Sequence, residues 1–255
     1  MKFATIVSGS SGNCIYIEGG ATRILVDAGL TLKTLKAACN GFGCTPADLS
    51  AVLITHEHND HISGAERICR RFGIPLWASH DTWEKLPFAS LISEADRHMF
   101  EYGMKIGELK LDFFRLSHDS VQPVGIIVEH EGSRLAIATD TGCVTPSMQR
   151  ALTDCDGYVL EANHDLDMLK HGPYSYTLKR RVMSDRGHLS NAQAALALSE
   201  LAGPHTRHVI LAHLSETNNT PELAMQQVMA VMRSVPYHPV ITVAPRHIQH
   251  RLIEI

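Results

Sequence analysis

A chain of 255 residues with 44% apolar side chains, 23 basic and 27 acidic groups and a net charge of −4 holds enough material for one large domain or two small ones. No run approaches the roughly 18 apolar residues of a membrane helix, and MKFATIVSGSSGN lacks the apolar region of a signal peptide. Six cysteines, at 14, 39, 44, 69, 143 and 155, are too sparse for a disulfide framework, so a reducing compartment, the cytoplasm, is expected.

Phe3 to Val7, Cys14 to Glu18 and Arg23 to Asp27 read as strands bounded by Gly, Ser and Asn turns. A helical stretch spans Thr31 to Cys39, and Thr45-Pro46-Ala47-Asp48 has the pattern of an N-cap, an N1 proline and an acidic first turn. Strand Ala51 to Thr55 and loop 56–61 lead into an amphipathic helix from Ile62 to Phe72. Strands follow at Glu108 to Leu116, Gly125 to His130 and Arg134 to Thr139. Then come helix Pro146 to Leu152, strand Tyr158 to Glu161, helix Asn191 to Leu201, strand His208 to Ala212 and helix Pro221 to Met232, with closing strands near Val240 and Leu252. Strand-rich halves with interspersed helices predict two sheets packed face to face with helices outside. With no repeat, low-complexity tract or linker, residues 1–255 read as one domain.

Sixteen histidines is a high count, and many directly follow a predicted strand. The densest run, Thr55-His56-Glu57-His58-Asn59-Asp60-His61, leaves the apolar Ala51-Val52-Leu53-Ile54 with three imidazoles and a carboxylate suited to zinc, manganese or iron. Four ligands in six positions cannot all reach one ion, whose coordination angles demand donors from several directions. Two ions sharing the loop would resolve this, each taking further ligands from elsewhere. The same grammar, a polar ligand after an apolar strand, recurs at His118, Asp140 and His213.

This ordered set, HxHxDH followed by a lone His, a lone Asp and a late His at strand ends, resembles the metallo-β-lactamase superfamily over about residues 1–215. The resemblance implies an α+β fold, a four-layer αββα sandwich, and two divalent ions (Mn2+ or Zn2+). It implies that His56, His58 and His118 hold one ion, that Asp60, His61 and His213 hold the other, and that Asp140 bridges. Asp60 is thereby expected in the catalytic set as well. Asp27 is either a turn carboxylate or, by the resemblance, a group that orients a ligating imidazole.

Two ions can lower the pKa of a bridging water and hold both oxygens of a displacement, so hydrolysis is the expected reaction. The electrophile stays open between a lactam, a thioester, a lactone and a phosphodiester. Tyr158-Val159-Leu160-Glu161-Ala162-Asn163-His164 and Arg186-Gly187-His188-Leu189-Ser190 resemble paired motifs of the nuclease branch, with Glu161 polarising a His188 that donates to the leaving oxygen. Ser8-Gly9-Ser10-Ser11-Gly12-Asn13 offers an anion nest, or simply a hairpin loop. Lys170, Lys179, Arg180, Arg181 and Arg186 concentrate between the motifs, which is either what a polyanionic substrate would want or, the commoner meaning of such a run, a solvated helix face. Ser10, Ser11, Asn13, His164, Ser190 and Ser215 are the expected substrate contacts. The interval from Asp140 to His213 has no room for a large inserted domain, and the motif combination resembles the compact WalJ/YycJ-like branch. That implies a 5′-3′ exonuclease on DNA, by attack of a metal-bound hydroxide on phosphorus. The alternatives are an RNA-directed nuclease or a small-molecule hydrolase of the glyoxalase II or lactonase type. Asn218, Asn219 and Thr220 could do no more than cap the helix at Pro221.

Overall fold

Consecutive strand residues turn their side chains to opposite faces, and in this chain both faces are apolar. The computed structural model describes residues 1–246 and 251–255. Among them run strands β1 (Lys2–Val7), β2 (Cys14–Gly19), β3 (Thr22–Val26), β4 (Ala51–Leu53), β5 (Leu76–Ala78), β6 (Arg97–Met99) and β7 (Met104–Ile106). They continue with β8 (Leu109–Arg115), β9 (Val124–His130), β10 (Ser133–Ala138), β11 (Gly157–Glu161), β12 (His208–Ala212), β13 (Val240–Val243) and β14 (Ile253–Glu254). One sheet has the order β14-β1-β2-β3-β4-β5-β6 and the other β13-β12-β11-β10-β9-β8-β7. Each is antiparallel on one side and parallel on the other: β3 to β6 run parallel in the first, β10 to β13 in the second.

The alternation sorts residues into three apolar layers. Ile24, Val26, Ala51 and Leu53 of the first sheet meet Leu135, Ile137, Val159 and Ile210 of the second in the central layer. Leu25, Val52 and Ile54 face outward onto α1 (Leu32–Gly41) and α3 (Ala65–Phe72), which lies beyond the one-turn α2 (Asn59–Ile62). On the far side Ala136, Ala138, Tyr158, Leu160, Val209 and Leu211 carry α5 (Pro146–Leu152), α8 (Asn191–Leu201) and α9 (Pro221–Met232). The remaining helices, α4 (His80–Lys85), α6 (Leu166–His171) and α7 (Tyr176–Val182), sit in connections. The layers are those of an αββα sandwich. No helix among the described residues is long and apolar enough to cross a membrane.

The helix expected as one piece over Ile62 to Phe72 is two. It breaks at Ser63-Gly64, where a β-carbon on Gly64 would lie 2.0 Å from the Leu30 carbonyl oxygen, so the chain turns to let the two backbones touch. The start at Thr45 is a single 3₁₀ turn, Pro46–Asp48, closed by the Asp48 carboxylate on the Thr45 N–H. Strands β5, β6 and β7 of three residues each, and helices α4, α6 and α7, were not expected from the sequence. The C-terminal strand β14 is an edge strand on β1.

Candidate metal centre

Strands β1, β3 and β4 of the first sheet and β8, β10, β11 and β12 of the second all end at one edge of the sandwich. The residue or short loop after each carries a polar side chain. Asp27 follows β3, loop 56–61 follows β4, His118 follows β8, Asp140 follows β10 and His213 follows β12, while Glu161 ends β11. Three of them sit in left-handed backbone: Asp27 (φ 60), Asp140 (φ 62) and His213 (φ 57). Each such position costs roughly 1–3 kcal/mol, held here by the packed strands on either side.

The inward-facing atoms are closely spaced. His118 Nε2 is 3.2 Å from His58 Nδ1. His61 Nε2 is 3.2 Å from Asp140 Oδ2 and 3.4 Å from Asp60 Oδ2. His213 Nε2 is 3.4 Å from both Asp60 Oδ2 and Asp140 Oδ1. Such separations are the edges of a coordination polyhedron with bonds of about 2.0–2.2 Å. The donors fall into the groups His56, His58 and His118; His56, His61 and Asp140; and Asp60, His61 and His213, with a fourth group, Asp140, Glu161, His188 and His213, beside them. Two atoms test whether ions fit. His56 Nε2 and Asp140 Oδ2 are buried with no hydrogen-bond partner among the described residues, which an apolar or purely hydrogen-bonded site would not leave. The donor set and its orphaned atoms fit divalent cations.

The outer atoms of four of the imidazoles, His56, His61, His118 and His213, are engaged. His61 Nδ1 donates to Asp27 Oδ2 at 2.8 Å, and Asp27 Oδ1 accepts the Thr55 N–H at 2.9 Å. The Thr55 hydroxyl donates to Asp27 and lies 3.0 Å from His56 Nδ1, so one carboxylate orients two imidazoles. His118 Nδ1 donates to the Gly187 carbonyl at 3.1 Å. Glu161, fully buried, accepts from His188 Nδ1 at 2.7 Å and His213 Nδ1 at 2.9 Å on one oxygen. Its other oxygen accepts from the Thr141 and Leu189 N–H groups. Glu161 thus contacts the His188 with which the sequence paired it and also fixes the tautomer of His213.

Charge follows from these contacts. Burial would neutralise His61 and His213, but Asp140 and the hydrogen-bonded carboxylates overcome it, raising His61 well above its ordinary value and His213 to about 10. His56 and His118 are driven down, chiefly by burial. Burial pushes the carboxyls up, yet the imidazoles hold Asp60 and Asp140 far below the usual range and Glu161 down to about 2. The carboxylates therefore stay ionised at neutral pH, and a cation held by His61 and His213 would displace the protons that these same contacts stabilise on the two rings.

Beside the donors lies a cleft of about 160 Å³ lined by Ser10, Asp119, Tyr174, Arg181, His188 and Ser215. A roomier cleft of about 380 Å³ between Phe100, Phe113 and Arg115 contains none of the ligating groups, so the chemistry belongs to the smaller one. The other expected contacts are distributed differently. Asn13 closes the Ser8–Asn13 turn on Gly9 and donates to Asp60 Oδ2 at 3.0 Å. The N–H groups of Gly9, Gly12 and Asn13 are consumed internally or by Asp60, which favours the loop reading over the anion nest and leaves Ser10 and Ser11 at the rim. Ser11 donates to Glu216. Ser190 is taken up as the N-cap of α8 in a capping box with Gln193. Ser215 accepts from the Asn218 N–H. His164 is buried, both ring nitrogens unpartnered among the described residues, and burial lowers it to about 4. Of the basic run, Arg186 donates to the His118 carbonyl, Lys179 to the Lys170 carbonyl, and Arg180 lies over the Tyr176 ring. Thr55, Asp119 and Gly187 were not singled out from the sequence; for Asp119 its place directly after His118 was the available signal.

Comparison with known proteins agrees with this geometry. Residues 22–214 match the family described as beta-lactamase superfamily domain. Exodeoxyribonuclease WalJ of Streptococcus pneumoniae is 39% identical over 228 residues, 88% of this chain and 85% of that one. Exodeoxyribonuclease YycJ of Bacillus anthracis is 35% identical over 235 residues, 91% and 89% of the two chains. Among solved structures, the metallo-beta-lactamase fold protein YhfI of Bacillus subtilis superposes with a TM-score of 0.75 at 17% identity, covering 98% of this chain and 99% of that one, which establishes the fold and leaves no large insertion within these residues. With its donors gathered at one edge of two helix-flanked sheets, the chain belongs to the beta-lactamase superfamily, among its metal-dependent hydrolases.

Proposed function

We propose that the protein is a two-metal phosphodiesterase that degrades DNA from its 5′ end. His56, His58 and His118 would hold one ion and Asp60, His61 and His213 the other, with Asp140 available to either. Bound ions, Mn2+ or Zn2+, would supply Lewis acidity and a water of lowered pKa. The chain's own residues do the rest. Asp27 and Glu161 keep the ligating imidazoles in the right tautomer, and Asn13 steadies Asp60. His188 faces the cleft with Nδ1 given to Glu161. Burial would take its second proton away, but the Glu161 charge and hydrogen bond outweigh this and hold the ring above its ordinary value. As water attacks phosphorus and the bond to the leaving oxygen breaks, that proton passes from His188 Nε2 to the leaving oxygen.

The observation that carries this reading is the His188–Glu161 pair on the wall of a cleft adjoining the ligands, a proton donor that a purely structural metal site has no use for. The relatives named exodeoxyribonucleases support a DNA substrate, as do Arg181 and Tyr174 in the cleft and the basic helix α7 beside it. The test is a single-stranded DNA labelled at either end, with and without a 5′-phosphate, in manganese and in zinc. Stepwise release from the 5′ end is expected. An intact strand in both ions, with thioester or lactone hydrolysis present, would return the site to a small-molecule hydrolase.

A further inference from the structure

Asp119 lies outside the seven donors that the motif order points to, yet it stands against them. Its Oδ2 is ion-paired with Arg181 Nε on α7. Its Oδ1 is buried with no hydrogen-bond partner among the described residues. That oxygen is 3.5 Å from His118 Nε2, and it approaches His58 at 3.9 Å on Nε2, the ring nitrogen opposite the inward-facing Nδ1. His118 Nε2 is the inward nitrogen of that ring, its Nδ1 being engaged by Gly187. A carboxylate whose only role was to anchor Arg181 would gain by offering both oxygens to the guanidinium or to water. Here one oxygen is on the arginine and the other is turned, undonated, toward the inward nitrogen of His118, at the spacing of neighbouring donors on one ion.

Arg181 has the opposite character. Its side chain is 58% exposed, and it lines the same cleft as His188. A phosphate there would offer the guanidinium a bidentate partner in place of a single carboxylate oxygen. Releasing Asp119 from Arg181 frees its full charge for a cation.

We propose that Asp119 is an eighth donor of the metal centre, at the His56, His58 and His118 position, and that Arg181 is shared between it and the substrate phosphate, so that phosphate and cation binding reinforce each other. The inference rests on the two-metal phosphodiesterase reading and adds a coupling to it. Coupling of this kind is reciprocal: phosphate tightens the cation by the factor by which the cation tightens phosphate.

The experiment is a calorimetric titration of the chelator-stripped protein with Mn2+, with and without inorganic phosphate, for wild type, Asp119→Asn and Arg181→Gln. Wild type should bind two ions, one of them more tightly when phosphate is present. Asp119→Asn should weaken one of the two sites by about 10–100-fold and leave the other alone. Arg181→Gln, at an exposed side chain whose loss does not threaten folding, should bind both ions and lose the effect of phosphate. Two undisturbed sites in Asp119→Asn, or an undiminished phosphate effect in Arg181→Gln, would overturn the proposal and leave the pair as an anchor for α7. A wild type that binds no Mn2+ would remove the two-metal reading itself, a result distinguishable from either of these.

Discussion

Glu161 is the residue on which the centre turns, because one buried oxygen serves two imidazoles with different tasks. Removing each partner separates the tasks. His188→Ala should lower turnover by about 10²–10⁴ with ion content unchanged, as loss of a proton donor does. Glu161→Ala should lower both, weakening ion binding by about 10–100-fold through His213. Elemental analysis of the purified variants with single-turnover kinetics decides between these patterns; loss of ions from His188→Ala would contradict its role. Asp140→Ala, which removes the carboxylate within 3.4 Å of both His61 and His213, should lose activity together with ions. The inward-facing residues were legible in the sequence because each follows an apolar strand and the ligand types are few. Thr55 and Gly187 were not, since their contribution is a hydroxyl on Asp27 and a carbonyl on His118, and no residue type announces such a contact.

At the scale of elements, the starts of α8 and α9 are tied together by an amide pair. Asn191 Nδ2 donates to Asn219 Oδ1, and Asn219 Nδ2 donates back to Asn191 Oδ1 and to the carbonyls of Ala162 and Asn163. The sequence suggested capping for 218–220, and Thr220 does cap α9, but Asn219 instead joins that helix to the loop after β11. Asn219→Asp removes those donors while leaving the carbonyls buried, at a cost of about 1–3 kcal/mol. A melting temperature lower by several degrees is the expected result, and an unchanged melt would show that water replaces the amide. Helix α7 has a different role. Replacing Lys179 and Arg180 by Ala should weaken single-stranded DNA binding and flatten its salt dependence by roughly 0.7 in log–log slope for each phosphate no longer neutralised; an unchanged slope would take α7 out of the interface. The long strands and helices were readable from their apolar period and caps. Strands of three residues such as Arg97-His98-Met99 were not, because they are too short to show a period and owe their form to the neighbouring strand.

Across the whole molecule, the donors come from both sheets: loop 56–61 from the first, His118, Asp140 and His213 from the second. Ion binding should therefore appear in global stability. An ion present at about 1,000 times its dissociation constant adds about 4 kcal/mol, so chelation should lower the melting temperature by on the order of ten degrees. Identical melts with and without chelator would mean that the ions do not favour the folded state. Central packing alone, Val26 and Leu53 against Ile137 and Ile210, holds the sheets together across their breadth, but at the ligand edge a loaded centre would act as a clasp. With an ion bound, the halves would not part there until it left, so the lifetime of the loaded protein against proteolysis should follow the ion's departure rate, and its resistance would become a clock for metal exchange.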